Sequence, residues 1–355
     1  MSSIPFSIRR IWLLIRGTLV DRDRPHFGRL GSIEDPDTFV WAILPHAARS
    51  FAPSILLLPE DEARASAVGY LYARMLDTYE DLSSTPTEAR DALDAFAKRF
   101  DTAMPGPAPI APAPDDPDAR DLTHLLLIDR HHLVDEVFFE LEDDTRERVG
   151  RLIRDMATGM IEFSGIFEAQ GGVLEDEQQV LDYCHRVIGL PALFVMETLL
   201  GDLSGNHRAD ALEVSELIQL ANITRDVEKD LRRGIAYHPA LKEHLASEVE
   251  TATADAVARA RRDLMFLATR RAASFRRLVD AVELPRLSPA RGAAVLMMLF
   301  TARHYRNCAL EVGLNPRSSG SRVSTMVLSA FRAAISPWWA DSVLLRVERD
   351  LLETG

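Results

Sequence analysis

Seven segments of the chain carry apolar residues at three- and four-residue spacing: 60–82, 86–100, 143–169, 176–203, 208–231, 250–283 and 287–313. That period belongs to helices that bury one face, and no stretch alternates apolar and polar residues as a half-buried strand does. An all-α fold is expected. Ser84, Thr85, Pro86 and Glu88 mark a helix start, and Gly234 with Pro239 marks a helix end. The run "PGPAPIAPAPDDPD" from Pro105 is the one low-complexity stretch. It reads as an extended surface connection inside one helical domain.

Two of these helices have an unusual polar face. In and before "RMLDTYEDL", residues 74–82, Tyr70, Arg74, Asp77 and Asp81 fall on one stripe with Glu80 beside it, and Leu71, Met75 and Leu82 form the adjoining apolar stripe. Carboxylates beside a core are costly unless a metal neutralises them or their pKa values rise. Oxygen-only ligands of this kind suit Mg²⁺. Taken alone, the cluster equally fits an exposed helix end with its acids in water. A second stretch, "QLANITRDVEKDLRRGIAYHP" at 219–239, repeats the pattern. Gln219, Asn222, Asp226 and Asp230 share a stripe, Arg225 lies alongside, and Leu220, Ile223, Val227 and Leu231 are the apolar neighbours. Two such helices point to a lined cavity. Carboxylates and arginines together suit a magnesium-bound diphosphate, and an apolar cavity beside them implies an attached hydrocarbon.

Composition narrows the partners. With 355 residues, 47% of them hydrophobic, the chain can bury a large core. A net charge of −13 argues against nucleic acid as a partner, and means that an anionic substrate must be held by local basic residues or metal ions. Cys184 and Cys308 lie in apolar helical contexts with no disulfide framework, which suggests a reducing, cytoplasmic setting. No stretch approaches the roughly 20 apolar residues that span a bilayer. The segments "SIRRIWLLIRGTLV" and "ISPWWADSVLL" read either as peripheral membrane-surface elements or as helices packed on their own domain.

The residues together resemble the squalene/phytoene synthase family of head-to-head prenyl transferases. "RMLDTYEDL" is similar to its first aspartate-rich motif, in a form closer to squalene synthases. "ARSFAPSILLLP" resembles its early Ser-Phe segment, matching Arg49 and Ser50 to diphosphate-contacting positions. "YCHRVIGL" places Tyr183 on the catalytic tyrosine. "QLANITRD" resembles the second motif, carrying over Gln219, Asn222, Arg225, Asp226 and Asp230. "HYRNCALEVGLNPRSSGSRVS" matches Tyr305 and Arg322 to C-terminal substrate-binding elements. The resemblance covers about residues 40–330 in the expected order. It implies a single-domain isoprenoid-synthase-type bundle around a central cavity. An N-terminal extension (1–35), a catalytic domain (36–335) and a helical tail (336–355) follow from it.

It also implies the chemistry. Mg²⁺ held by Asp77, Glu80, Asp81, Asp226 and Asp230 would ionise one farnesyl diphosphate, which a second would attack, with a proton lost near Tyr183. Presqualene diphosphate would form and, with NADPH, squalene. The chain departs from the pattern at Lys229, where the second motif usually has glutamate, with Glu228 one place early. It also departs at Ile235 and in lacking an evident Pro-Gln element near "AAVLMMLF". Lys229 either binds diphosphate directly as a point charge or pairs with Asp226 or Glu228. The departures leave room for a synthase that cyclises a single prenyl diphosphate; a silent binding or assembly module is the third reading. Taken singly, Tyr183 would be a core tyrosine, Gly189 and Pro191 a helix kink, and His185 and His238 structural or surface histidines. The run "DEVFFELEDD" from Asp135 would be a solvated helix end.

Overall fold

The computed structural model describes residues 9–10, 12–15, 25–49, 51–102, 105–245, 252–282, 284–314, 316 and 322–353. The regular secondary structure of the described residues is helical, with a single isolated bridge between Val173 and Ala236 and no strand. They form two compact units, residues 1–161 with 194–201, and residues 162–193 with 202–355.

In the first unit the principal helices are α1 (Pro36–Ala48), α2 (Glu60–Leu82), α3 (Pro86–Lys98), α4 (Ala119–Asp129), α5 (His131–Phe139) and the first part of α6 (Asp143–Gln170). The α2 helix begins with Glu60, Asp61 and Glu62, whose charge complements the positive end of the helix dipole. Its core face is built from small and apolar residues, among them Ala63, Ala67, Gly69, Leu71 and Met75. A Cβ at Gly69 would lie 3.1 Å from the Phe194 ring, so the glycine sets how closely that ring packs. The α3 helix starts as the sequence indicates: Thr85 accepts a hydrogen bond from the Glu88 amide, and Pro86 takes the first turn.

Asp135, the first acid of the run read as solvated, departs from that reading. Asp135 is buried, accepting from the Tyr72 hydroxyl at 2.7 Å and from Arg99 at 2.7 Å. Tyr72, Phe96, Phe100 and Phe138 surround the pair with ring centroids 5.1–6.1 Å apart. The other acids of that run, Glu136, Glu140, Glu142, Asp143 and Asp144, are exposed. Arg99 also donates to Gly106 O (2.6 Å), Tyr79 to Pro109 O (2.7 Å) and the Ala108 amide to His131 (3.2 Å). The proline-rich connection is thus extended but tied down. It ends in a capping box at Asp118, with Asp121 reciprocating, that starts α4.

The second unit contains the end of α6, most of α7 (Glu177–Leu200), α8 (Gly205–Arg232), α9 (Ala252–Thr269), α10 (Ser274–Ala281), α11 (Pro289–Glu311), α12 (Val323–Ile335) and α13 (Pro337–Leu352). The segment read as one helix over 250–283 breaks at 270–273. There Arg271 turns its side chain to Leu267 O and Glu216. The α7 helix has a π turn at His185–Gly189, which is the form the expected kink takes. At Gly189 a Cβ would meet Leu212 at 3.0 Å, so the wide turn packs directly on α8. By length and composition α7 is long and apolar enough to cross a membrane, in contrast to the expectation from the sequence that no stretch is. Its shorter apolar pieces add up because the helix continues through the π turn, while its His185 and Arg186 bond to Glu216 and Glu162 within the unit. The α8 helix closes at Gly234 (φ 77°), where the Ile235 amide reaches back to Asp230 O at 3.0 Å.

Candidate active site

The first acid stripe lies near the end of α2, with Leu71 and Met75 fully buried behind it. Arg74 donates to the Tyr70 hydroxyl at 2.7 Å and pairs with Asp77 at 2.8 Å. Phe51 packs on Tyr70 with centroids 5.6 Å apart. Asp77 keeps 28% of its side chain exposed, Glu80 is half-buried, and Asp81 is exposed at the last turn. Burial, with Asp81 beside it, pushes the Asp77 carboxyl up to about 6 against the opposing pull of Arg74 and Arg120.

Arg120 is a residue that sequence reasoning missed. It is half-buried at the start of α4, close enough to feel Arg74, Arg49, Tyr70 and Asp81. Burial and then the two like charges lower its pKa, against the opposing pull of Tyr70 and Asp81. No motif marks it; the signal that could have found it is the Asp118–Asp121 capping box that starts α4. Arg49 is exposed, with a φ of 46° that is unusual for a residue bearing a side chain. Ser50 lies outside the described residues. Three arginines and two or three carboxylates therefore share one stretch of the first unit, an arrangement suited to an anion carrying its own cation.

The second stripe lies in the second unit. Leu220, Ile223 and Val227 are buried as expected, and Gln219 is buried as well, accepting from Asn222 at 3.1 Å. Arg225 grips its neighbour Asp226 with two hydrogen bonds, one of them 2.8 Å from Nε. Asp230 and Lys229 are half-buried one turn on. Glu228, the carboxylate displaced from the motif, bonds to the nearly buried Arg261 of α9, which also donates to Thr224 O at 2.9 Å. That carboxylate is committed to holding α9 on α8.

Tyr183 is half-buried in an aromatic group. Phe163 lies 5.3 Å away by ring centroids, Phe167 6.1 Å and Tyr237 5.0 Å, and the Tyr237 hydroxyl donates to that of Tyr183 at 3.1 Å. Tyr237 was also missed by sequence reasoning, although it stands two residues before the helix-ending Pro239. His185 bonds to Glu216 at 2.6 Å, and Arg271 bonds to the same carboxylate. Burial pushes Glu216 up, but those two bonds outweigh it and leave it below the usual range. His238 caps the turn at Ala240 and pairs with Asp263 at 3.3 Å. Both histidines are structural. Tyr305 is 2% exposed and donates to Leu217 O at 2.6 Å, the surroundings of a packing tyrosine. Arg322 is exposed at the start of α12.

The donor set fits magnesium. The carboxylates of α2 offer oxygen alone, and the raised proton affinity of Asp77 marks a place where a cation would relieve both burial and repulsion. Among the described residues no three His, Cys, Asp or Glu side chains gather into a ready-made cage. Magnesium commonly takes one or two carboxylates and fills its shell with water and substrate phosphate, so the protein's share of such a site is small.

The family model for squalene/phytoene synthase matches residues 44–324. Squalene synthase 1 of Arabidopsis thaliana is 28% identical over 216 residues, covering 58% of this chain and 45% of its own length. Lycopaoctaene synthase of Botryococcus braunii is 29% identical over 209 residues, covering 56% of this chain and 43% of its own. The matched region is thus less than half the length of these relatives. A solved complex of TcSQS with a ligand has the same fold, with a TM-score of 0.65 at 16% identity, covering 91% of this chain and 98% of that one.

Proposed function

The chain belongs to the squalene/phytoene synthase family, and on that premise we propose that it joins two farnesyl diphosphates head to head, giving presqualene diphosphate and, with NADPH, squalene. The observation that carries the reading is the Tyr70–Arg74–Asp77 stripe, where a burial-raised carboxylate stands among Arg74, Arg120 and Arg49.

Asp77, Glu80 and Asp81 in one unit, and Asp226 and Asp230 in the other, are the residues that would hold magnesium ions. Magnesium when bound supplies charge neutralisation for a departing diphosphate. Arg74, Arg120 and Arg49 add guanidinium forks to the same anion. As the first diphosphate leaves, the remaining allylic cation is attacked by the double bond of the second chain. Loss of one proton closes a cyclopropane, and the second diphosphate stays attached. Tyr183 is assigned that proton transfer. Phe163, Phe167 and Tyr237 pack around its ring and supply aromatic groups suited to a passing positive charge.

A peripheral membrane contact belongs to the same proposal, since the product is a hydrocarbon. Leu328, Phe331 and Ile335 form an exposed stripe on α12, and Trp338, 74% exposed, continues it at the start of α13. At the other end of the chain Arg9 pairs with Asp37, and Leu13 and Leu14 are buried. Those residues favour packing on their own unit.

The test is incubation of the purified protein with Mg²⁺ and farnesyl diphosphate, with and without NADPH, and identification of the product. Presqualene diphosphate without NADPH and squalene with it are expected. A cyclised product from one farnesyl chain would overturn the condensation while keeping diphosphate ionisation. No conversion at all would overturn both.

A further inference from the structure

Buried tyrosine hydroxyls elsewhere in the chain close on fixed structural acceptors. Tyr72 donates to Asp135, Tyr79 to Pro109 O and Tyr305 to Leu217 O. Tyr237 is also buried, at 9% exposed, yet its hydroxyl donates at 3.1 Å to the hydroxyl of the half-buried Tyr183. Such a bond orients the rotor of the accepting phenol. It also polarises that phenol's own O–H, because hydrogen bonds in series strengthen one another in a low-dielectric setting.

The backbone beneath Tyr237 is held on both sides. The Ala236 amide donates to Gly172 O at 2.8 Å, and the Leu174 amide donates to Ala236 O at 3.0 Å. Val173, Val227, Ala236, Leu241, Val257 and Ala260 form the packed cluster under this bridge. Gly172 has φ 89°, and a Cβ there would stand 2.2 Å from Gly234 O. Tyr237 therefore follows a residue whose amide and carbonyl are both tied to the 172–174 segment. The ring is further set by Phe167, 5.8 Å away by centroids and edge-on.

We propose that Tyr237 is a positioning residue for Tyr183: its donated hydrogen bond fixes and polarises the hydroxyl that handles the proton in the condensation. The inference rests on the reading that Tyr183 acts at the reacting chain, and the experiment separates the two. Turnover and KM for farnesyl diphosphate are measured in wild type, Tyr183→Phe, Tyr237→Phe and the double variant. Each substitution keeps the ring and removes one oxygen. Losing one net hydrogen bond, about 1.4 kcal/mol, corresponds to roughly a ten-fold fall in kcat. Tyr237→Phe should show that fall with KM unchanged, and should cost nothing more once Tyr183 is already Phe. The same fall in both backgrounds, or a change confined to KM, would overturn the positioning role and leave the assignment of Tyr183 standing. Wild-type turnover in Tyr183→Phe would overturn the assignment itself, and the inference with it.

Discussion

Asp77 stands where a carboxylate is costly: burial raises its pKa to about 6, and Arg74 offsets only part of that. The sign of the consequence is unusual for an acid. Its folded value lies above the ordinary value of 3.8, so the folded state binds the proton more tightly than the unfolded chain does. The neutral form is fully present below the unfolded value. As pH rises through 3.8 and on to about 6, folding loses stability, and above that the loss is complete. A shift of this size corresponds to roughly 1–3 kcal/mol, the lower part of that range being apt for a side chain with an exposed edge. Urea denaturation of metal-free protein should therefore show wild type falling relative to Asp77→Asn between about pH 4 and about pH 6. The variant should match or exceed wild type in stability at neutral pH while losing product formation. Parallel stability curves would mean that Asp77 is solvated and not strained toward a cation.

At the scale of elements, the proline-rich connection shows what a one-dimensional pattern conveys and what it omits. Its extended form and the flanking helical periods were legible, because proline content and three-to-four spacing are local properties. Its anchoring was not, since Arg99, Asp135 and Tyr72 meet only through contacts 36 and 63 residues apart in sequence. For the same reason Asp135, set among other acids, read as solvated, and α4 with its Arg120 went unlisted among the helical segments. The two acid stripes were legible as faces because helical geometry fixes them. The Tyr183–Tyr237 bond, spanning 54 residues, was beyond any local rule. Glu228 lay between: its different face was readable, and its commitment to Arg261 was not. The buried pair yields a prediction at this scale. Arg99→Met leaves the Asp135 carboxylate buried without its cation and should cost about 3–5 kcal/mol. Asp118→Ala removes the helix cap and should cost about 1 kcal/mol. Equal losses in chemical denaturation would show that the connection, and not the ion pair, is what the first unit depends on.

For the whole molecule, the proposed lipid contact would have to be made by a chain with a net charge of −13. Long-range electrostatics repel it from anionic bilayers, so attachment has to come from apolar insertion. The exposed side chains suited to this are Leu328, Phe331, Ile335 and Trp338, with Arg332 exposed among them. Indole and aliphatic groups at the headgroup level gain by leaving water, about 1.5–3 kcal/mol for each large side chain fully buried. Binding of this kind is insensitive to salt, whereas binding led by arginines would weaken as salt screens them. Co-sedimentation with phosphatidylcholine vesicles should therefore persist at high salt. Replacing Ile335 and Trp338 together by Ser should lower the partition coefficient at least about ten-fold, since tenfold is only about 1.4 kcal/mol. Adding anionic lipid should weaken binding of the wild type and not strengthen it. Failure of the wild type to sediment with neutral vesicles would remove the lipid surface as a partner of this face. Binding that appears only with anionic lipid and disappears with salt would assign the contact to the arginines instead.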